Sequence, residues 1–417
     1  MAPVLWRRDQ LDFNGVSAAF RDEWSSPSDY AFTILLLVGG DVVAKALAQL
    51  SGSRLTPVAF SFGWVSYATG AINSAVGENK LMPASDTSCL VINADNRQTR
   101  SNGSWVLGRT IRDFEYWMGS PVKQKMEELK KSKFDFDKEQ AQKHGKDPDT
   151  VKYPDHAGLV VSFWKFDESK KGQLRKPGRD VLFWSGIVTA VVQLGLAAIP
   201  FGIYGNWGVF LVTGAAILLC LTTGCWKQWG REKWACREIL PGSKKTYILT
   251  RGNGAQHAIV IQADGFGLNL EDLCTGFDNL DEPAIPPTTR FATVVLGILW
   301  VALLITSSAL GDQSWFLIAV GGIGMLQNIF VAGWSRTPEA LGMPLAFQQV
   351  VGSPKVFGAI IEAEKAHPKT GRALVGTFFP AGIFPKEEAE LAAIETEAKR
   401  KKQAGETMTD KAHLADV

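Results

Sequence analysis

The chain has 417 residues, 46% of them hydrophobic, and 44 Lys and Arg against 42 Asp and Glu give it a formal charge of +2. A mean hydropathy of +0.01 hides two populations, because apolar blocks nearly free of charge alternate with segments dense in Lys, Asp and Glu. No segment is basic without matching acid, which argues against a nucleic-acid partner, and five scattered cysteines without C-x-x-C spacing fit neither a zinc or redox motif nor a disulfide framework.

Residues 1–29 lack an apolar run of the secretory type, so no cleavable signal is expected and the segment reads as a cytosolic N-terminus. Residues 30–76 read as a first transmembrane hairpin. Its first half carries Phe32-Thr33-Ile34-Leu35-Leu36-Leu37-Val38 but also Asp41 and Lys45, each costing roughly 3 kcal/mol at the centre of a spanning helix. Its second half, from Thr56 to Val76, is long enough but rich in Ser, Thr, Ala and Gly, so the two are expected to insert together.

Residues 77–180 read as a cytosolic α+β segment. Strands are predicted at Ser88 to Asn93, Ser104 to Leu107 and Gly158 to Phe166, and helices around Ile111 to Met118 and Val122 to Gln142. Residues 181–226 form a second predicted hairpin, with Val181 to Pro200 and Tyr204 to Trp226 each about long enough to cross a bilayer. In 227–290, Arg251-Gly252-Asn253-Gly254 sits between two strand-like runs, and its glycines supply the positive φ of a tight turn. Residues 291–335 read as a third hairpin, whose second helix has Trp315 and Trp334 at its two ends where the interfaces are expected. Residues 336–417 read as cytosolic helices, one after Ser353-Pro354 and one from Pro385, with a possible strand at Leu374 to Phe379 and a disordered tail.

The fold expected is therefore a membrane α-helical bundle of six transmembrane helices, arranged as three hairpins, with a composite α+β cytosolic domain built from the inter-hairpin and C-terminal segments. The connectors on the opposite side hold only Arg54, whereas Lys176, Arg179, Lys227, Arg231, Lys233, Arg290 and Arg336 flank the spans on the other. By the positive-inside rule both termini are expected in the cytosol. The sequon at Asn102-Gly103-Ser104 is then expected to be unmodified.

The candidate functional residues are few. Asp41 and Lys45 share a helix face at i, i+4, and ionisable residues inside a membrane suggest a proton or ion pathway, with Gln193 and Gln327 as polar neighbours. A purely structural ion pair is the competing reading. Ser66, Gly70 and Ser74, and the cluster Gly321, Gly322 and Gly324, suit close helix packing. Asp135-Phe136-Asp137 lies in a solvated charged run, the histidines show no metal-ligand spacing, and the Arg251 to Gly254 run lacks the strand-to-helix context of a phosphate loop. No metal, cofactor or reaction-specific motif is indicated, which leaves enzymatic activity open.

Several stretches carry a resemblance: Arg21-Asp22-Glu23-Trp24 with Ser26-Pro27-Ser28-Asp29-Tyr30, Pro57-Val58-Ala59-Phe60-Ser61-Phe62-Gly63-Trp64, Gly77-Glu78-Asn79-Lys80, and Ser104-Trp105-Val106-Leu107-Gly108-Arg109. They resemble multi-pass integral membrane proteins of filamentous ascomycete fungi with no assigned activity. The resemblance implies a membrane protein of fungal source and transfers no site residue. The functional expectation is a membrane-anchored interaction or regulatory protein whose partners are the lipid bilayer, cytosolic proteins or further copies of itself. The alternative is a transporter or channel built on Asp41 and Lys45.

Overall fold

The structure is a computed structural model describing residues 28–78, 80–276, 285–310, 314–398 and 400. The predicted N-terminal segment, apart from its end, and the predicted disordered tail lie outside the described residues, as does the resembling stretch around Arg21. In chain order the principal elements begin with α1 (Ser28–Leu50), α2 (Gly63–Asn73), β1 (Leu90–Asn93), β2 (Thr99–Ser101), α3 (Trp105–Arg112), α4 (Gly119–Lys143) and β3 (Leu159–Phe166). Next come α5 (Val181–Tyr204), α6 (Gly208–Gly224), β4 (Lys244–Thr250) and β5 (His257–Asp264). The chain continues through α7 (Pro287–Ser308), α8 (Ser314–Gly333), β6 (Leu345–Ser353), α9 (Val356–Ala366) and α10 (Thr370–Phe378).

Two compact units divide these elements. One draws on the chain up to Leu81, on Asp180–Gln228 and on Ile285–Trp334; the other takes the segments beginning at Met82, Trp229 and Ser335.

The first unit is helical. Helix α5 starts where the Asp180 carboxylate accepts from the Phe183 N–H at 3.3 Å, and it stops at Gly205, whose φ of +68° caps its C-terminus. Helix α7 starts with Pro287 in its first turn, where a missing N–H costs nothing. The outward faces of α5 to α8 are apolar: Val191, Ile298 and Leu326 are 64%, 62% and 69% exposed. The polar groups of these helices point inward instead, with Gln193, Thr213 and Asn328 fully buried.

The expectation of six transmembrane helices in three hairpins is corrected here. Among the described residues, three helices are long and apolar enough to cross a membrane, namely α5, α7 and α8. A fourth counts if α6 and the following Lys227–Lys233 helix, bent by 41°, form one span. The predicted first hairpin fails. Helix α1 carries its charged pair, and α2 has 11 residues, about 16 Å of helix against a hydrocarbon core of about 30 Å. Residues 55–61, predicted helical in part, have no regular secondary structure. Thr56 precedes Pro57, whose ring disfavours helical backbone just before it.

That irregular stretch lies inside the bundle, with Val58, Ala59, Phe60 and Phe62 at most 3% exposed. Helices α5 and α8 approach it closely enough that side chains are excluded. A Cβ on Gly186 would lie 1.7 Å from the Pro57 carbonyl oxygen, and one on Gly324 would lie 1.6 Å from that of Phe60.

The second unit is built on a six-stranded sheet of order β2-β1-β4-β5-β3-β6. Its pairings are antiparallel except for β5 with β3, which run parallel. One face carries Ile92, Val161, Phe163, Ile248 and Val260 and packs against Ile360, Leu374 and Phe378 of α9 and α10. On the other, Trp164 meets the ring of Trp117 at 4.8 Å between centroids. With both faces covered, β3, β4 and β5 read as nearly continuous apolar runs rather than alternating ones.

Three local expectations are also corrected. The predicted strand at Ser104 to Leu107 is helix α3, with Trp105, Val106 and Leu107 all buried; a short apolar run buried on every side shows no period to tell the two apart. The possible strand at Leu374 to Phe379 is part of α10, whose Leu374 and Phe378 share one face at i, i+4. Strand β6, with two exposed glutamines at its centre, was not foreseen.

Buried charges tie the first polar segment together and join it to the last. Arg109, 1% exposed, pairs with Asp86 at 3.1 Å. Asp113 accepts from the backbone N–H of Arg336 at 3.0 Å, and the Arg336 guanidinium donates to the Gly178 carbonyl at 3.2 Å.

The two neighbouring glycines of α8 give the test of this packing. Gly324→Ala is expected to cost about 1–3 kcal/mol through overpacking. Gly322→Ala, with nothing within 4 Å of its Cβ, is expected to be neutral or stabilising by up to about 1 kcal/mol. Denaturation of the detergent-purified variants reads the difference.

Candidate functional site

The sequence-derived transport residues do not converge. Asp41 and Lys45 bond to each other at 2.7 Å, and their side chains are 71% and 36% exposed. Gln193 and Gln327 serve the irregular stretch instead. The Gln193 amide donates to the carbonyls of Phe60 at 2.7 Å and Val320 at 2.8 Å. The Gln327 side-chain oxygen accepts from the Ala59 N–H at 3.2 Å, and Asn328 donates to the Ala59 carbonyl at 3.1 Å. These amides supply the hydrogen bonds that a helix would have made for itself.

The small residues divide in the same way. Ser66 of α2 sits against Gly40 of α1, where a Cβ would lie 2.7 Å from its hydroxyl, and a Cβ on Gly321 would lie only 2.5 Å from the Phe62 ring. Gly324 is the contact with Phe60 already described. Gly70 and Gly322 face open space, and Ser74 begins the π-helical turn Ser74–Glu78.

A different place in the second unit has the character of a binding site. The β4–β5 hairpin turns through Arg251 to Gln256, with Gly252 and Gly254 at φ +97° and +87°. The Thr250 hydroxyl fixes this turn, accepting from the Gly252 N–H at 3.3 Å and donating to the His257 carbonyl at 3.1 Å. Parallel pairing then sets Val160 opposite His257, and the Val160 N–H donates to the Gln256 carbonyl at 2.8 Å. This brings His156 and Gly158 beside the turn. Gly158 has φ +61°, and a Cβ there would lie 1.9 Å from the Ser353 carbonyl oxygen. The end of α3 and the residues after it supply the remaining wall.

Together these segments enclose an open cavity of about 440 Å³, within the usual range for small-molecule sites. Its polar lining is Arg112, Glu115, His156, Arg251, Asn253, Gln256 and His257. Arg112 is committed to Asp113 at 2.7 Å and Asp86 at 3.6 Å. The Gln256 side-chain oxygen meets His156 Nδ1 at 3.1 Å. Gln256 Nε2 and both ring nitrogens of His257 are shielded from solvent and have no hydrogen-bond partner among the described residues. Such groups are uncommon in folded proteins and costly to leave unmet.

His257 stacks edge-on against Phe114 at 5.0 Å. Burial lowers its pKa from 6.5 to about 4, against a smaller upward pull from Glu115. The ring is thus neutral near pH 7, with one donor and one acceptor nitrogen.

Sequence reasoning weighs the Arg251 to Gly254 run and the histidines separately and finds no site in either. His156 and His257 are a hundred residues apart, and only the β3–β5 pairing unites them. The hairpin glycines were the one legible signal. Among the described residues, no three His, Cys, Asp or Glu side chains gather in a metal-binding arrangement. Asp135 and Asp137 lie on α4, where Asp137 pairs with Lys133 at 3.2 Å.

The lowered pKa fixes the sign of a pH effect. Between about 6.5 and about 4 the unfolded chain binds a proton that folded His257 does not, so stability falls as the pH falls through that window, by up to about 3 kcal/mol. In urea titrations of the detergent-purified protein, His257→Phe is expected to flatten the slope by that amount. An unchanged slope would show that the ring titrates normally.

No family model, curated protein or solved structure matches this chain.

Proposed function

We propose that the chain is an integral membrane protein whose helical unit anchors a ligand-recognising α+β unit at one face of the bilayer. One observation carries the reading: the helical unit is inverted in polarity. Large apolar side chains cover the outside of α5 to α8, including Val191, Phe201, Ile298, Ile305 and Leu326, while Gln193, Gln327 and Asn328 are buried. An aqueous solvent would drive the opposite arrangement, and isolated apolar patches on soluble proteins are far smaller than such a belt.

The sheet adds a constraint of parity. Strands β1 and β3 precede α5, β4 and β5 lie between α6 and α7, and β6 follows α8, yet all six are hydrogen-bonded in one sheet. A bilayer cannot pass through a sheet, so an even number of crossings separates each pair of these segments. This supports α6 as the return crossing for α5, and α8 as the return for α7. The 17 residues of α6 are at the lower limit for a span. Four crossings result. The basic flanks at Lys176, Arg179, Lys227, Arg290 and Arg336 favour the cytosolic side for the sheet.

Transport through Asp41 is not supported. Its carboxylate faces outward with Lys45, and Gln193 and Gln327 bond the backbone of Phe60 and Ala59 instead. A charge pair facing lipid would be costly, which favours placing that turn of α1 outside the hydrocarbon.

Membranes from cells expressing the chain test the anchor. After washing with alkaline carbonate the protein is expected to remain in the pellet and to be released only by detergent. Release by carbonate alone would contradict the proposal.

A further inference from the structure

Residues 51–81 lead from α1 to the sheet unit, and their neighbours record the level that each part occupies along α5 to α8. The sheet unit's segments directly precede α5 and α7 and directly follow α6 and α8. The starts of α5 and α7 and the ends of α6 and α8 are therefore their sheet-side ends. The chain approaches at that end, where the Gln49 side-chain amide donates to the Trp334 carbonyl at 3.0 Å, just past α8. Thr56 lies against Gly224, the last residue of α6, with 3.0 Å left for a Cβ there. Pro57 meets Gly186 near the start of α5. Phe60 then reaches Gln193 and Gly324, midway along α5 and α8, and Phe62 reaches Gly321, farther still from the sheet side. From Gly63 the direction reverses. The Trp64 ring stacks on Trp300 of α7 at 5.5 Å, whereas Ile72 faces Gly297, closer to the start of α7. The Met82 N–H, already in the sheet unit, donates to the Glu232 carboxylate at 2.6 Å.

We infer that residues 51–81 form a re-entrant segment, which enters the bundle from the sheet side, turns at Phe62 and Gly63 near mid-depth, and leaves by the same side. The inference rests on the proposed membrane anchor, which converts positions along the helices into depths. The 11 residues of α2 rise about 16 Å, about half of a hydrocarbon core of about 30 Å, which suits a return from mid-depth and not a crossing. Irregular backbone at such depth is tolerated where protein buries it, and residues 56–62 are all buried. The loop before them changes sides as a result. Arg54 is exposed, and sequence alone assigns it to the connectors opposite the sheet. The re-entrant path moves it to the compartment of the sheet. The connectors that remain on the far side, 205–207 and 309–313, contain no Lys or Arg, the distribution that the positive-inside rule favours.

Added cysteines read the sides in sealed membrane vesicles, using a membrane-impermeant maleimide and mass spectrometry of the labelled peptides. Arg54→Cys and Lys80→Cys, both at exposed positions flanking the buried part, report entry and exit separately. Asn253→Cys, at the exposed β4–β5 turn, marks the compartment of the sheet, and Trp207→Cys, between α5 and α6, marks the opposite one. In vesicles with the cytosolic face outward, Arg54→Cys and Lys80→Cys are expected to label without detergent, as Asn253→Cys does. Trp207→Cys is expected to label only after detergent opens the vesicles. The comparison is relative, so it holds whichever compartment contains the sheet. If Arg54→Cys or Lys80→Cys follows Trp207→Cys instead, the inference is overturned and the anchor stands. Labelling of all four without detergent in sealed vesicles would refute the anchor, and the inference with it.

Discussion

Backbone polarity inside an apolar bundle governs the helical unit. Residues 55–61 run without regular structure through a core where water cannot supply hydrogen bonds, so other parts of the chain must. Non-helical backbone in such a core is stable only when its polar groups find partners within the protein. Gln193 reaches in from α5, and Gln327 and Asn328 from α8, to bond the backbone of Ala59 and Phe60. The Trp64 indole also donates to the Ala59 carbonyl, at 2.9 Å. The glycines at 186 and 324 then have a common purpose, letting helices approach this backbone to distances that no Cβ would permit, while Gly321 makes room for the Phe62 ring that follows it. Polar residues in apolar helices and small residues beside them thus serve one buried irregular segment.

The sheet unit answers to a different constraint. Its strands come from three segments separated by helices of the other unit, and each brings an incomplete hydrogen-bond ladder that only the others can fill. Closure is reinforced by the Arg109–Asp86 pair and by Asp113 with Arg336. Breaking such pairs leaves a buried charge uncompensated, which is more costly than the pair itself is stabilising. The same non-local closure creates the cleft, because the parallel β3–β5 pairing places residues 156–158 against the hairpin turn. Fold and candidate site therefore have the same origin.

Much of the architecture was legible in local sequence. Helices α5, α7 and α8 follow from long uncharged apolar runs, and the β4–β5 hairpin follows from two glycines between β-branched stretches. What escaped was set by contacts between distant residues. The stretch from Thr56 has a spanning helix's length, and nothing local shows that amides at 193, 327 and 328 will bond its backbone. Strand β6 exposes Gln348 and Gln349 and lies at the sheet edge, so it lacks the apolar signature of an inner strand. The cleft was illegible for a related reason: Glu115, His156 and His257 carry no pattern until the sheet assembles them.

The most direct test is residue-level mapping of lipid contact, using a hydrophobic carbene reagent photoactivated in membranes and located by mass spectrometry. The account predicts labelling at Val191, Ile298 and Leu326 and none at Val58, Ala59, Phe60 or Gln193. Labelling of residues 58–60 to the level of the outer helix faces would contradict it, because that backbone would then lie open to lipid.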